Sequence, residues 1–236
     1  MLDPSNHHFL SHFKGLFSAR SIDQVYRHFE AVEKSRQSEL RRDTDAQRVR
    51  IGAATDALRF DDMWFEPWRQ LAPDALEWHR PFTWVLFPVQ LRHVTAINHL
   101  VPWHQDIGYV RQMQRVHSRL ITCFVPLDPD PTNGSTLEFA VGTHDEAVHR
   151  PVGDHGAVIE QDFGNTVRFQ LERGDAIIFG DRVPHRTVPA RNGNIDRRSF
   201  EYRLVVPDDA LDDKDYFDIE AKCFVRTDGT RNEKIA

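Results

Sequence analysis

The sequence predicts a mainly β protein, a sandwich or barrel, with helices from the first third of the chain packed on one face. Two observations carry this. From Phe82 onward, about eight short runs of β-branched and aromatic residues alternate with turn signals roughly every ten residues. Before them, apolar residues recur at helical spacing, so helices precede strands and buttress one β-domain.

Taken in order, Ser21 to Leu40 reads as a helix. Ser21 is placed to cap it, with Gln24 three residues on. Ile22, Val25, Tyr26, Phe29 and Val32 form its apolar stripe. Glu39 to Arg50 is a charge run, expected as a solvated helix or loop. Asp61 to His79 holds Trp64, Trp68 and Trp78, expected to pack helices onto a sheet. Strands are expected at Phe82 to Phe87, Leu91 to Ile97, Ser118 to Leu127, Leu137 to Val141, Thr166 to Leu171, Ala176 to Phe179 and Ser199 to Val206. Asp128-Pro129-Asp130-Pro131-Thr132-Asn133-Gly134 is a strong turn. Residues 1–236 are therefore expected to form one domain: 1–80 a mainly helical buttress, 81–210 the β core, 211–236 a C-terminal extension.

A chain of 236 residues can bury a substantial core without dividing. Its net charge of −6 leaves no basic excess to neutralise phosphates, which argues against nucleic acid as a partner. Cys123 and Cys223 are the only cysteines, so neither a disulfide framework nor a Cys-rich zinc site is expected. Cys123, in an apolar run, reads as a small buried hydrophobe. Met1 to His12 shows no signal-peptide pattern, no run approaches a membrane span, and Glu233-Lys234-Ile235-Ala236 is no targeting address. The expected location is the cytoplasm, with no membrane partner. Oligomeric state is left open.

The chemistry concentrates at Trp103-His104-Gln105-Asp106 and, downstream, at His185 after Gly174-Asp175-Ala176-Ile177-Ile178-Phe179. In a strand, residues two apart share a face, so His104 and Asp106 can offer one metal an imidazole and a carboxylate. Alone, the pair is a weak signal, because a histidine in a strand is more often structural. However, Pro102-Trp103 and Ile107-Gly108-Tyr109 make its setting apolar, and a charged Asp there needs a partner or a metal. His185, just past a buried strand, would complete a set of two histidines and a carboxylate. That set leaves open positions on the ion, as in non-haem Fe(II) oxygenases. About a dozen residues later an arginine of Asp196-Arg197-Arg198 opens a strand, and its planar fork suits the far carboxylate of a dicarboxylic acid. The alternative is an ordinary surface arginine.

These blocks, together with Asn133-Gly134-Ser135-Thr136-Leu137-Glu138-Phe139-Ala140-Val141-Gly142-Thr143-His144 and His185-Arg186-Thr187 before Arg197-Arg198-Ser199-Phe200, resemble the phytanoyl-CoA dioxygenase family of Fe(II)/2-oxoglutarate oxygenases. The resemblance spans roughly Leu91 to Val206, with the blocks in the family's order. It implies a double-stranded β-helix, the cupin-like jelly roll. It implies Fe(II) held by His104, Asp106 and His185, with 2-oxoglutarate and O2 as cosubstrates. It implies an arginine anchor for 2-oxoglutarate: Arg197, because Ser199 and Phe200 follow it as in the family, with Arg198 as the alternative. Thr187 matches a serine position that touches 2-oxoglutarate, and Asn98 and Phe124 match lining positions. Val141 stands where a proline is usual, and Met1 to His79 matches poorly.

The implied reaction hydroxylates an unactivated C–H of a small-molecule metabolite and releases succinate and CO2. Asp106 argues against halogenation, since related halogenases lack that carboxylate. Desaturation, epimerisation or cyclisation would use the same residues. A jelly-roll binding protein without catalysis, or a cupin using another metal, are the rival classes; the intact triad and the arginine disfavour them. Trp103 and Tyr109 are expected to pack in the barrel, His144 to be structural, and His7-His8 to be disordered.

Overall fold

The computed structural model describes residues 10–35, 42–43, 46–50, 83–106, 120–142, 159–210, 215–221 and 223–226. Everything expected of residues 51–82 (including Trp64, Trp68 and Trp78), of Tyr109, His144 and His7-His8, and of the last ten residues lies outside them.

The described residues form two facing antiparallel sheets and one helix. The strands are β1 (Leu10–Phe13), β2 (Arg42–Asp43), β3 (Ala46–Arg50), β4 (Trp84–Val94), β5 (Leu120–Pro126), β6 (Thr136–Ala140), β7 (Thr166–Val167), β8 (Ala176–Gly180), β9 (His185–Val188), β10 (Arg197–Val205), β11 (Asp215–Asp218) and β12 (Cys223–Arg226). The large sheet runs β1-β8-β5-β10-β4-β11-β12, with β3 on β4 and β2 on β3. The small sheet runs β7-β6-β9. This is the expected jelly roll.

At its centre the large sheet is buried on both faces, so β5 and β8 read as near-continuous apolar runs; β5 is buried at every position. One face packs under helix α1 (Ala19–Ser35) through Ile22, Val25 and Phe29 of the helix and Cys123, Val125, Ile178, Phe200, Tyr202 and Leu204 of the sheet. The other face meets the small sheet: Phe124, Ile177 and Phe179 pack against Leu137 and Phe139. The site lies between the sheets. Burial pushes the Cys123 thiol up to about 12, so it behaves as the small hydrophobe expected.

Several expectations are corrected. The helix begins at Ala19, and its cap is Ser18, whose Oγ accepts the Ser21 N–H at 3.1 Å. Within the charge run at Glu39 to Arg50, residues 42–43 and 46–50 form strands β2 and β3 and not a helix or loop. The two strands expected around Pro88 are one, β4. Its pairing with β10 carries a bulge between Glu201 and Arg203, and its other edge passes from β11 (Trp84 to Phe87) to β3 (Gln90 to His93). Pro88 falls in that gap, where no ladder hydrogen bond is required of it.

Candidate active site

His104 lies in an extended segment held to β9 by an isolated bridge with His185. Each backbone N–H donates to the other's carbonyl at 2.9 Å. The bridge sets the two rings side by side, centroids 4.1 Å apart. Phe179 meets the His185 ring edge-on at 4.6 Å, and Phe139 stacks on it at 5.8 Å.

Each imidazole is oriented by the carbonyl two residues before it. His104 Nδ1–H donates to Pro102 O at 2.8 Å, and His185 Nδ1–H to Val183 O at 2.9 Å. A carbonyl can only accept, so the proton sits on Nδ1 and each Nε2 presents a lone pair. Both lone pairs face Asp106 Oδ1, at 4.0 Å from His104 and 3.9 Å from His185. All three residues are buried, and their ligand atoms lie within 4.8 Å of one another. That is wider than the ~3 Å between neighbouring ligands of one ion, a gap that side-chain rotation can close.

The charge states suit a cation. Burial, then the charge of its neighbour His185, holds His104 well below the usual imidazole range; burial also lowers His185. Burial opposes ionisation of Asp106, but the Arg203 guanidinium, both histidines and the Thr122 hydroxyl outweigh it and hold the carboxyl well below its usual value. Thr122 Oγ1 donates to Asp106 Oδ2 at 2.5 Å, and Arg203 Nη2 to Oδ1 at 3.2 Å. Two neutral imidazoles and one carboxylate result, the donor set that suits Fe(II) with open positions.

Arg197 lies on β10 and is fully buried. Its guanidinium stands 4.9 Å over the Phe124 ring and donates once, from Nη1 to Ser135 O at 3.4 Å. Its Nε and Nη2 have no partner. Burial, then nearby Arg92, pushes its pKa down to about 9, with Glu201 and Asp128 opposing. A buried cation with two unused donors is costly unless an anion arrives. The Ser135, Thr136 and Thr187 hydroxyls, from the β6 and β9 side, are also buried without partners. Arg198 points the other way, towards α1. Its Nε meets Glu33 Oε2 at 3.3 Å and its guanidinium lies over Tyr26 and Phe29.

Two glycine-containing blocks build this wall. A Cβ on Gly134 would stand 2.3 Å from Asp196 O, so only glycine lets the loop before β6 press on the loop before Arg197. Gly174 has φ +94°, and a Cβ there would stand 2.4 Å from Phe17 O. Beside it, Asp175 takes the Gly15 and Glu172 N–H groups and His12 Nε2, fastening β1 to the start of β8.

Of the residues singled out from sequence, the structure brings together His104, Asp106 and His185, and places Phe124 beneath Arg197. Thr187 is buried with an unpartnered hydroxyl. Asn98 is exposed on the 3-10 helix Ile97–His99. Trp103 packs against Ala140, Ile159 and Phe163. Sequence reasoning missed Arg203, Thr122, Ser135 and Asp181. Arg203 was within reach of it, since six residues from Arg197 along a strand is the same face.

The chain matches the phytanoyl-CoA dioxygenase (PhyH) family over residues 10–199. It belongs to that family. This family member is a non-haem Fe(II)/2-oxoglutarate-dependent oxygenase. Among curated proteins, none matches it in sequence. Its fold is similar to that of EvdO2 from Micromonospora carbonacea var. aurantiaca, with TM-score 0.61, 16% identity, and 87% of this chain and 93% of that one covered. EvdO2 is also known complexed with 2-oxoglutarate, at the same similarity. The epimerase SnoN, in complex with Fe3+, alpha ketoglutarate and nogalamycin RO, aligns with TM-score 0.55 and 15% identity over 84% of this chain and 79% of its own. The carbocyclase SnoK from nogalamycin biosynthesis aligns with TM-score 0.57 and 12% identity over 90% and 82%.

Proposed function

We propose that this oxygenase hydroxylates an unactivated C–H of a small-molecule metabolite, converting 2-oxoglutarate and O2 to succinate and CO2 as it does so. His104, Asp106 and His185 hold Fe(II). Arg197 receives the far carboxylate of 2-oxoglutarate, with Phe124 beneath its guanidinium and Thr187 Oγ1 as a further donor. Asn98 is assigned only an outer, solvent-facing contact. The observation that carries the reading is the pairing of an ionised carboxylate and two neutral imidazoles with a buried guanidinium that has unused donors. When bound, iron would activate O2, the oxidant, which would take two electrons from 2-oxoglutarate as it becomes succinate and CO2 and two from the C–H bond that receives the other oxygen atom.

The chain's own part is orientation and exclusion of water. Pro102 O and Val183 O fix which nitrogen of each histidine is bare. Thr122 and Arg203 keep Asp106 ionised and fixed before any ion arrives. The apolar packing of Phe139 and Phe179 around His185 keeps bulk water from the centre.

A second reading keeps these residues but ends in epimerisation or ring closure, in line with the printed names of SnoN and SnoK. We take residues 1–236 as one domain serving this site. The free cysteines Cys123 and Cys223 support a cytoplasmic location. Among the described residues, no helix is long and apolar enough to cross a membrane.

The test mixes apoprotein with Fe(II) and 2-oxoglutarate without oxygen and records the visible spectrum. A weak charge-transfer band is expected in the native protein and its loss in Asp106→Ala, with the far-UV circular dichroism unchanged. Tight iron binding without a band would point to a cupin that uses its metal without 2-oxoglutarate.

A further inference from the structure

The inward side chains of β10 are Arg197, Ser199, Glu201, Arg203 and Val205, by the alternation of a strand. Pairing with β5 and β8 arranges their neighbours in rows. Glu201 pairs with Phe124 and Phe124 with Ile177; Arg203 pairs with Thr122 and Thr122 with Phe179; Val205 pairs with Leu120. Asp181 continues β8 by one residue beyond Gly180, and its N–H donates to Leu120 O at 3.0 Å. It therefore joins the row of Val205 and Leu120, with the same inward parity as Phe179.

Asp106 is bonded to Thr122 and Arg203, so the candidate metal centre belongs to the middle row. The Arg197 guanidinium lies over Phe124, one row to one side. Asp181 lies one row to the other side, about 7 Å further along the strands. The cosubstrate anchor and Asp181 thus flank the metal centre from opposite directions.

The Asp181 carboxyl lies beside the backbone N–H groups of Leu120 and Arg182, which favour its charged form. Its Oδ2, however, is buried and has no partner. Burial pushes the group up to about 7, with the Asp106 charge adding to that and Arg182 opposing it. A structural aspartate in so buried a place would have both oxygens satisfied, as Asp175 has.

We propose that Asp181 is a substrate-binding residue, whose unpartnered carboxyl oxygen receives a hydroxyl or ammonium group of the substrate on the side of the metal centre away from Arg197. The substrate then carries a hydrogen-bond donor close to the carbon that is oxidised. An acyl thioester, apolar along its reacting chain, would leave the carboxyl buried and unpaired and is disfavoured. This rests on the reading of the site under Proposed function.

The experiment uses the full Fe(II)-loaded protein and measures succinate from 2-oxoglutarate. One set of additives is L-lysine, glucosamine and methyl glucoside; the other is decanoate and decanoyl-coenzyme A. Stimulation by a member of the first set alone is expected. Asp181→Asn, which keeps the shape and an acceptor for the backbone donors, should raise the KM of that compound about tenfold or more. The KM for 2-oxoglutarate should move by less than about twofold, and the melting temperature should hold. The proposal is overturned by stimulation from the acyl set, by no stimulation from the polar set, or by an unchanged KM in Asp181→Asn. A lower melting temperature with both KM values raised would make Asp181 structural and equally overturn it. Succinate formed by the native protein without additive tests the underlying reading separately, since its absence would remove the 2-oxoglutarate assignment itself.

Discussion

Arg197 carries a large desolvation cost and in return makes one long hydrogen bond at 3.4 Å and a contact with the Phe124 ring. Replacing a buried charge by an apolar group of similar shape is commonly neutral or stabilising, by about 1–4 kcal/mol. Arg197→Met is therefore expected to leave the apoprotein as stable or raise its melting temperature. A charge-assisted, two-pronged bond to a carboxylate is worth about 2–3 kcal/mol, or roughly 30- to 150-fold in affinity. The same variant should raise the KM for 2-oxoglutarate by that factor. Melting curves and KM measurements on Arg197→Met and Arg198→Met separate the cases. A KM that moves only in Arg198→Met would shift the anchor by one residue. A destabilised Arg197→Met with normal KM would make the guanidinium a structural prop. The family resemblance favours Arg197 and leaves Arg198 as the alternative, and one step along a strand reverses the face. Partners on the α1 side, Glu33 and Asp128, now account for Arg198.

Among elements, α1 is tied to the large sheet by charge as well as by its apolar stripe. His93 on β4 places Nδ1 at 2.6 Å from Glu33 Oε1 on the helix and Nε2 at 2.8 Å from Asp196 Oδ1, next to Arg197. Both ring nitrogens face carboxylate oxygens, so the imidazolium, with two donors, fits best. Burial opposes the charge, but the Glu33 and Asp196 hydrogen bonds and the Glu33 charge outweigh it; Arg198 opposes, and the pKa is raised from 6.5. A raised histidine pKa gives stability that is complete below 6.5 and is lost as pH climbs through the folded value. Burial works against ionised Glu33, but His93 and Arg198 lower its pKa from 4.5, so its share is complete above 4.5 and fades below. The tie is therefore strongest between about pH 5 and 6.5. Denaturant unfolding should find native protein more stable than His93→Gln by about 1–3 kcal/mol at pH 6, with the difference shrinking towards pH 9. A constant difference would mean that His93 acts by packing alone.

At this same scale some elements were legible and others were not. β5 and β8 announce themselves as apolar runs because both faces of their sheet are covered there, and β6 and β10 by apolar residues at every second position. β9, His-Arg-Thr-Val, is too short and polar to be read as a strand, yet it carries His185 and Thr187. β2 and β3 look like solvated charge, and only pairing of β3 on the edge of β4, and of β2 on β3, makes them strands. The metal-binding set was readable because its residue types are scarce in apolar settings. Asp181 was not, since its significance lies in a buried carboxyl oxygen that only the folded chain leaves without a partner.

For the whole molecule, the consequence is a core divided by purpose. The α1 side of the large sheet is closed by the helix's apolar stripe and by the charged contacts of His93, Glu33 and Arg198. The side facing β6 and β9 holds Asp106, Arg197 and Arg203, together with the unpartnered oxygens of Ser135, Asp181 and Thr187. Filling that side with ligands adds partners that the folded chain alone lacks, and a ligand bound only by the folded state stabilises it by mass action. At a concentration about 100 times its Kd, the gain is about 2.7 kcal/mol per ligand. In a chain of this size that is roughly 5–10 °C in melting temperature. Fe(II) with 2-oxoglutarate, kept free of oxygen, should therefore raise the native protein's melting temperature by at least that much. His185→Ala should lose the response to both ligands. Arg197→Met should keep the response to metal and lose most of the further rise with 2-oxoglutarate. If Arg197→Met kept the full rise, the carboxylate would bind elsewhere, and the unused donors of Arg197 would belong to the substrate instead.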